Sequence, residues 1–270
     1  MQVITSKDNE IVKNIKKLKE KKYRDEKKQF IVEGIRLVAE AVEEKTNIDC
    51  IVICEDCVNN GGIDKKLLYE IAKYKCIYVK ENVFLTLTDV SNPQGILAVI
   101  NRKDNELNID YSQDFVVALD GIQDPGNLGT ILRTVDSAGL NQIIVSKTTA
   151  DCYNPKVVRS TMGGIFRVNI IKVDNLADTL KQMQKNKFEV VVTSLDTNES
   201  MYDIDYTKKV VVIGNEANGV TKEIQNMADK KVIIPMLGKT ESLNASVAAG
   251  IMIYEYVRNK VSKKFKNKEY

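Results

Sequence analysis

Six apolar runs rich in β-branched residues recur across residues 115–234, and the stretches between them read as amphipathic helices. Runs such as FVVALD, QIIVS, EVVVT and KVVVIG are too apolar to be strands with one wet face. They require a sheet covered on both sides, which means parallel strands joined by helical crossovers. The expected strands are 115–119, 142–146, 165–171, 189–194, 209–213 and 231–234, with a last helix over about 243–260. Residues 1–100 read as a separate αβ unit. A basic helix at about 8–28 precedes QFIVEGIRLVAEAVEE, a strand running into a helix. Strands at 50–54, 76–79 and 95–100 follow, with a helix at about 64–74 and turn chemistry in SNPQG. Residues 103–113 are polar and lack apolar periodicity, so the expected division is 1–102, a linker at 103–113, and 114–270.

Charge and composition narrow the chemistry. Residues 1–30 hold ten Lys/Arg against five Asp/Glu, and residues 258–270 hold six against one, so a chain of net charge +3 has basic ends on an acidic middle. That pattern points to an anionic partner such as nucleic acid. Histidine is absent, which removes the usual general base, Ser-His and Cys-His pairs, and His-ligated zinc. There is no apolar signal core at the start and no run long enough to span a membrane, so a cytoplasmic location and no membrane partner are expected. Cys50, Cys54 and Cys57 form a C-x3-C-x2-C, a spacing that can hold an iron–sulfur cluster. Their context, NIDCIVICEDC, reads instead as a buried strand with Cys50, Val52 and Cys54 on one face; no metal is expected.

Three segments carry chemistry. In DPGNLGTILRTVDSAG, Leu128, Ile131, Leu132 and Val135 form one apolar helical stripe, Gly139 is placed to end the helix, and Asn127 is a plausible N-cap. Arg133 falls off the stripe, free to face a ligand. Gly126 and Gly129 make only a G-x-x-G, not a dinucleotide fingerprint. In VVVIGNEANGV a buried strand ends in Gly214, Asn215 and Glu216, with Gly219 closing the turn; glycines there allow a close backbone approach to a ligand. In IPMLGKTESLNASVAAG, Ser242 can cap a helix, and Ser242 and Asn244 place polar groups at its positive end.

Together these segments resemble the signature motifs of the SpoU/TrmH family of RNA 2′-O-ribose methyltransferases, in the SPOUT superfamily. The matching residues are Asn127-x5-Arg133, then Gly214-Asn215-Glu216-x2-Gly219, then Ile234-Pro235-Met236 followed by Glu241 to Ala248. NPKVVRSTMGGIFRV, 154–168, resembles a further family stretch, and the region around FIVEGIRLVAEA is similar to the family's L30e-like substrate-binding domain. The resemblance implies a C-terminal SPOUT domain with a deep trefoil knot, against ordinary connection rules. It implies S-adenosylmethionine as donor, with Gly214, Gly219, Ile234 and Leu243 at its site and Thr193 and Leu195 nearby. It also implies a homodimer in which Asn127 and Arg133 help form an RNA-facing site. Glu216 is a conceivable proton acceptor there, and Asn127, Ser242 and Asn244 would orient the ribose or Arg133. Ribosomal RNA is the expected substrate, 23S above all. Transfer RNA, or a catalytically silent RNA-binding role, is the alternative.

Overall fold

The computed structural model describes residues 3–59, 63–102 and 108–266. The chain forms two compact units, Met1–Asp104 with Asp151–Phe166, and Asn105–Ala150 with Arg167–Tyr270. In the first unit the order is β1 Val3–Ile4, α1 Glu10–Lys17, α2 Lys21–Lys27, β2 Gln29–Glu33, α3 Ile35–Glu43, β3 Ile48–Cys54 and α4 Glu55–Asn59. Then come α5 Lys65–Ile71, β4 Cys76–Val79, α6 Glu81–Phe84 and β5 Ile96–Asn101. The sheet order is β1-β4-β3-β5-β2, with β5 antiparallel to both of its neighbours.

The single basic helix expected over 8–28 is two helices. Asn9 caps the first, which ends at Leu18. Leu18 and the aliphatic residues Val12 and Ile15 are buried, which turns the chain before α2 begins. Arg24 explains the turn: its fully buried guanidinium donates to the carbonyls of Leu18 at 2.8 Å and Lys19 at 2.6 Å, and to the Asp151 carboxylate at 2.6 Å. Cys50, Val52 and Cys54 share one core face, as their period-two spacing required. Among the described residues no group of three or more Cys, Asp or Glu is arranged to hold a metal ion.

The chain continues through β6 Phe115–Asp120, α7 Pro125–Ser137, β7 Gln142–Ser146, α8 Pro155–Ser160, α9 Gly164–Arg167, β8 Asn169–Val173, α10 Leu176–Lys185 and β9 Glu189–Thr193. It ends with β10 Lys209–Gly214, α11 Lys222–Met227, β11 Lys230–Val232 and α12 Ala245–Lys266. The six strands are all parallel, in the order β11-β9-β10-β6-β7-β8. Val116, Ala118, Val190, Val192, Val210 and Val212 fill one core under α10 and α11. Burying an aliphatic side chain of this size contributes about 1.5–3 kcal/mol.

The strand expected at 165–171 begins later, at Asn169. Left-handed Met162 (φ 49°) and Gly163 (φ 89°) turn the chain, and Gly164–Arg167 closes as a helical turn before the strand pairs with β7. Of the expected linker, 103–107 lie outside the described residues. Its later part is anchored in the second unit: the Gln142 amide bonds both backbone groups of Asp110, and Lys208 Nζ donates to the carbonyls of Tyr111 and Gln113.

Candidate active site at the carboxyl ends of the parallel strands

The chain runs outward from β6 through β7 and β8, then crosses to build β9, β10 and β11 on the other side. The sheet order therefore reverses between β6 and β10, and in open parallel sheets ligands lie outside the carboxyl ends of strands at such a point. The loops leaving β6 and β10 are tied together there. Asn215 Nδ2 donates to the Gly121 carbonyl at 2.8 Å, and the Thr221 N–H donates to buried Asp120 Oδ2 at 2.8 Å.

Gly214 is required by the loop's own path. The loop after β10 closes on itself through reciprocal Asn215 and Gly219 backbone hydrogen bonds of 3.0 and 2.9 Å. A Cβ at Gly214 would stand 2.1 Å from the Gly219 carbonyl carbon and from the Val220 nitrogen. It is this chain's own return that excludes a side chain. Gly219 supplies the left-handed turn at φ 68°.

The closed loop presents Glu216. Its carboxylate accepts from Asn127 Nδ2 at 2.9 Å, from the Gln123 N–H at 3.2 Å and from the Asp124 N–H at 3.3 Å. Asn127 Oδ1 in turn accepts from Asn244 Nδ2 at 2.9 Å. Residues from three separate segments, Asn244, Asn127 and Glu216, thus form one chain of hydrogen bonds. Partial burial pushes the Glu216 carboxyl up, but the bonds from Asn127, Gln123 and Asp124 outweigh it and hold the group below its ordinary value.

Two capping assignments change. Asp124 is the N-cap of α7, accepting from the Asn127 N–H at 2.8 Å with Pro125 at the first helical position. Asn127 sits a turn further in, which frees its amide for Glu216 and Asn244. Asn244, not Ser242, caps α12: its Oδ1 accepts from the Ser246 N–H at 2.9 Å. Ser242 is exposed and makes no hydrogen bond among the described residues. The expected stripe is buried, with Leu128, Ile131, Leu132 and Val135 all at 0% exposure. Arg133 is exposed and makes no hydrogen bond or ion pair among the described residues. Sequence reading did not single out Asp120 or Asp124, and it named Asn215 in the second motif without giving it a role; Asp-Pro at a helix start was the signal available for Asp124.

The residues expected to hold a cofactor lie at the ends of β9, β10 and β11. Thr193 is paired in register with Val232, and its Oγ1 donates to the Val212 carbonyl at 3.3 Å. Leu195, Leu237 and Leu243 are exposed apolar side chains, and Ile234 and Thr193 are half-buried. Among the described residues, Ile234 to Leu243 make no hydrogen bond at all. This run offers unpaired backbone donors and acceptors beside exposed leucines. That suits a ligand with a flat apolar ring and a polar rim, and S-adenosylmethionine is such a molecule.

Comparison with known proteins gives the family. Residues 114–254 match the model of the SpoU rRNA Methylase family, and residues 9–98 match the MRM3-like substrate binding domain. The chain belongs to the SpoU rRNA methylase family. Membership makes it an S-adenosylmethionine-dependent RNA methyltransferase with the SPOUT fold. It is 31% identical to the 23S rRNA (guanosine(2553)-2′-O)-methyltransferase RlmP of Bacillus subtilis, over 94% of this chain and 98% of that one. It is 33% identical to the 23S rRNA (guanosine-2′-O-)-methyltransferase RlmB of Xylella fastidiosa, over 87% and 98%. The AdoMet-bound rRNA methyltransferase of Sinorhizobium meliloti superposes with a TM-score of 0.84 at 33% identity, over 95% of this chain and 97% of that one.

Proposed function

We propose that this SpoU family member methylates a ribose 2′-hydroxyl of 23S ribosomal RNA, in the cytoplasm and as a homodimer. The observation that carries the reading is the Asn244–Asn127–Glu216 chain of hydrogen bonds, which joins three motifs at the start of the helix that carries the exposed, unpartnered Arg133. S-adenosylmethionine supplies an activated methyl on a sulfonium. Thr193, Leu195, Gly214, Gly219, Ile234 and Leu243 are the residues to hold it. The protein's own task is then to place the 2′-oxygen in line and manage its proton.

Arg133 cannot act as a base, because guanidinium stays protonated far above neutral pH. Free and exposed, it clamps the phosphate beside the target ribose and stabilises alkoxide charge as it develops. Glu216 is occupied by three donors and held as a carboxylate of lowered basicity. A holding role fits it better than proton acceptance: it fixes Asn127, and through it Asn244, at the ribose. Ser242, unbonded before α12, is free to reach the RNA.

Residues 1–102 form the substrate-binding domain of this reading, 103–113 the linker and 114–270 the methyltransferase domain. Exposed lysines on α1 and α2, with Lys17 and Lys22 over the Tyr23 ring at 5.6 and 5.8 Å, suit an RNA backbone. On α12, Val247, Tyr254 and Val261 are exposed at seven-residue intervals. Such a stripe suits burial against a second copy of the chain. Mapping 2′-O-methyl groups in ribosomal and transfer RNA from cells with and without the gene tests the assignment. Loss of one site in 23S RNA is expected. Loss from transfer RNA alone, or no loss, overturns the ribosomal assignment.

A further inference from the structure

Residues 151–166 pack within the N-terminal unit, and they bring Arg159 of α8 to a cluster of charged side chains there. Lys19, Glu33, Leu87, Asp89, Pro155 and Arg159 line a cavity of about 10 Å³, room for about one water molecule. Lys19 is fully engaged: its Nζ donates to the carbonyls of Thr86 at 3.3 Å and Thr88 at 2.9 Å and to Asp89 Oδ1 at 2.8 Å. Arg159 is not. Its half-buried guanidinium makes no hydrogen bond and no ion pair among the described residues. Glu33 is half engaged: the Thr88 hydroxyl donates to Oε1, and Oε2 has no partner among them. Burial raises the Glu33 carboxyl, opposed by the Thr88 bond and the Arg159 charge.

The four ionisable groups carry two charges of each sign, so a phosphate would find no net attraction. What they leave open is a planar fork of donors beside an acceptor-only oxygen. A guanine has the complementary edges: O6 and N7 accept from an arginine fork, and N1–H and the N2 amino group donate to a carboxylate. Adenine offers an acceptor, N1, to the carboxylate and a donor, N6, to the guanidinium, and both are mismatched. A water-sized cavity admits only the polar edge of a base, with the rest of the ring outside.

We propose that Arg159 and Glu33 read a guanine of the RNA substrate, Arg159 donating to O6 and N7 and Glu33 accepting from N1–H and N2. This rests on the RNA methyltransferase reading and adds base selection within the N-terminal unit. The test uses the full chain and labelled oligouridylate carrying a single central G, A or inosine, a strand that does not pair with itself, followed by fluorescence anisotropy. The G-containing RNA is expected to bind about tenfold tighter than the A-containing RNA, with inosine, which lacks the N2 amino group, between them. Arg159→Lys and Glu33→Gln are each expected to cut that preference to about twofold, with the salt dependence of binding unchanged because phosphate contacts are untouched. Equal wild-type affinity for the G and A RNAs overturns the proposal, as does a preference retained by both variants. Methyl transfer to ribosomal RNA without guanine preference defeats this inference alone; absence of any RNA binding and transfer defeats the functional reading beneath it.

Discussion

Replacing Asn127 with Asp tests the site's hydrogen-bond chain directly. Asn127 is buried, donates to Glu216 at 2.9 Å and accepts from Asn244 at 2.9 Å. The substitution keeps the acceptor for Asn244 but replaces the donor with a carboxylate facing a carboxylate. At that separation and an effective dielectric of about 20, two unit charges repel by about 5–6 kcal/mol. The pair escapes part of this by sharing a proton, so its folded-state pKa rises above the unfolded value. The deficit is therefore full at pH above the raised value and relieved as pH falls through it. Discounted for solvent screening at the partly exposed Glu216, and with loss of the Asn127 bond added, the expected cost is about 3–4 kcal/mol at pH 8 and about 1 kcal/mol at pH 5. In thermal unfolding that is a Tm drop of about 10 °C at pH 8 and about 3 °C at pH 5, each against wild type at the same pH. Asn127→Ala removes the bonds without adding charge and should show a smaller deficit of about 1–2 kcal/mol that barely changes with pH. An Asp variant as stable as wild type at pH 8, or one worse at pH 5 than at pH 8, would refute the reasoning.

Gly214→Ala places a Cβ 2.1 Å from backbone atoms of Gly219 and Val220; the loop must open, costing about 2–4 kcal/mol in urea unfolding. Glu216→Gln should destabilise the protein at neutral pH by about 1 kcal/mol. Because the Glu216 carboxyl is held below its ordinary value, the wild-type advantage is present above the unfolded pKa and lost as pH falls through the folded one, so the two melting curves should converge in acid, below the ordinary carboxylate range. Arg133→Lys should lower kcat/KM for methyl transfer about a hundredfold while leaving S-adenosylmethionine binding by calorimetry unchanged, since an ammonium cannot make a two-point clamp. A variant with near-normal turnover contradicts the clamp.

The parallel sheet was legible because its strands are apolar: QIIVS coincides with β7, FVVALD with β6, and the α7 stripe is buried as spaced. Local signals failed where tertiary contacts chose between neighbours. Both Asp124 and Asn127 can cap a helix; Pro125, fixed at the first helical position, selects Asp124 and releases the Asn127 amide. Ser242 and Asn244 posed the same choice at α12. The break after α1 depends on Arg24 collecting the carbonyls of Leu18 and Lys19, which no helical periodicity encodes. The Asn127–Asn244 bond joins residues 117 apart in sequence. The motifs named both residues without giving their contact. Gly214 was singled out for close approach to a ligand; the backbone that stands against it here is that of Gly219 and Val220 in the same loop.

The most direct test of the central claim is transfer of a labelled methyl group from S-adenosylmethionine by the purified full chain to 23S ribosomal RNA from cells lacking the gene. The product is digested with alkali, which cannot cleave beside a 2′-O-methyl ribose. Label in one alkali-resistant dinucleotide, absent with Arg133→Ala, is the expected result. Label on a base, label on no RNA, or full transfer by the Arg133→Ala protein would contradict it.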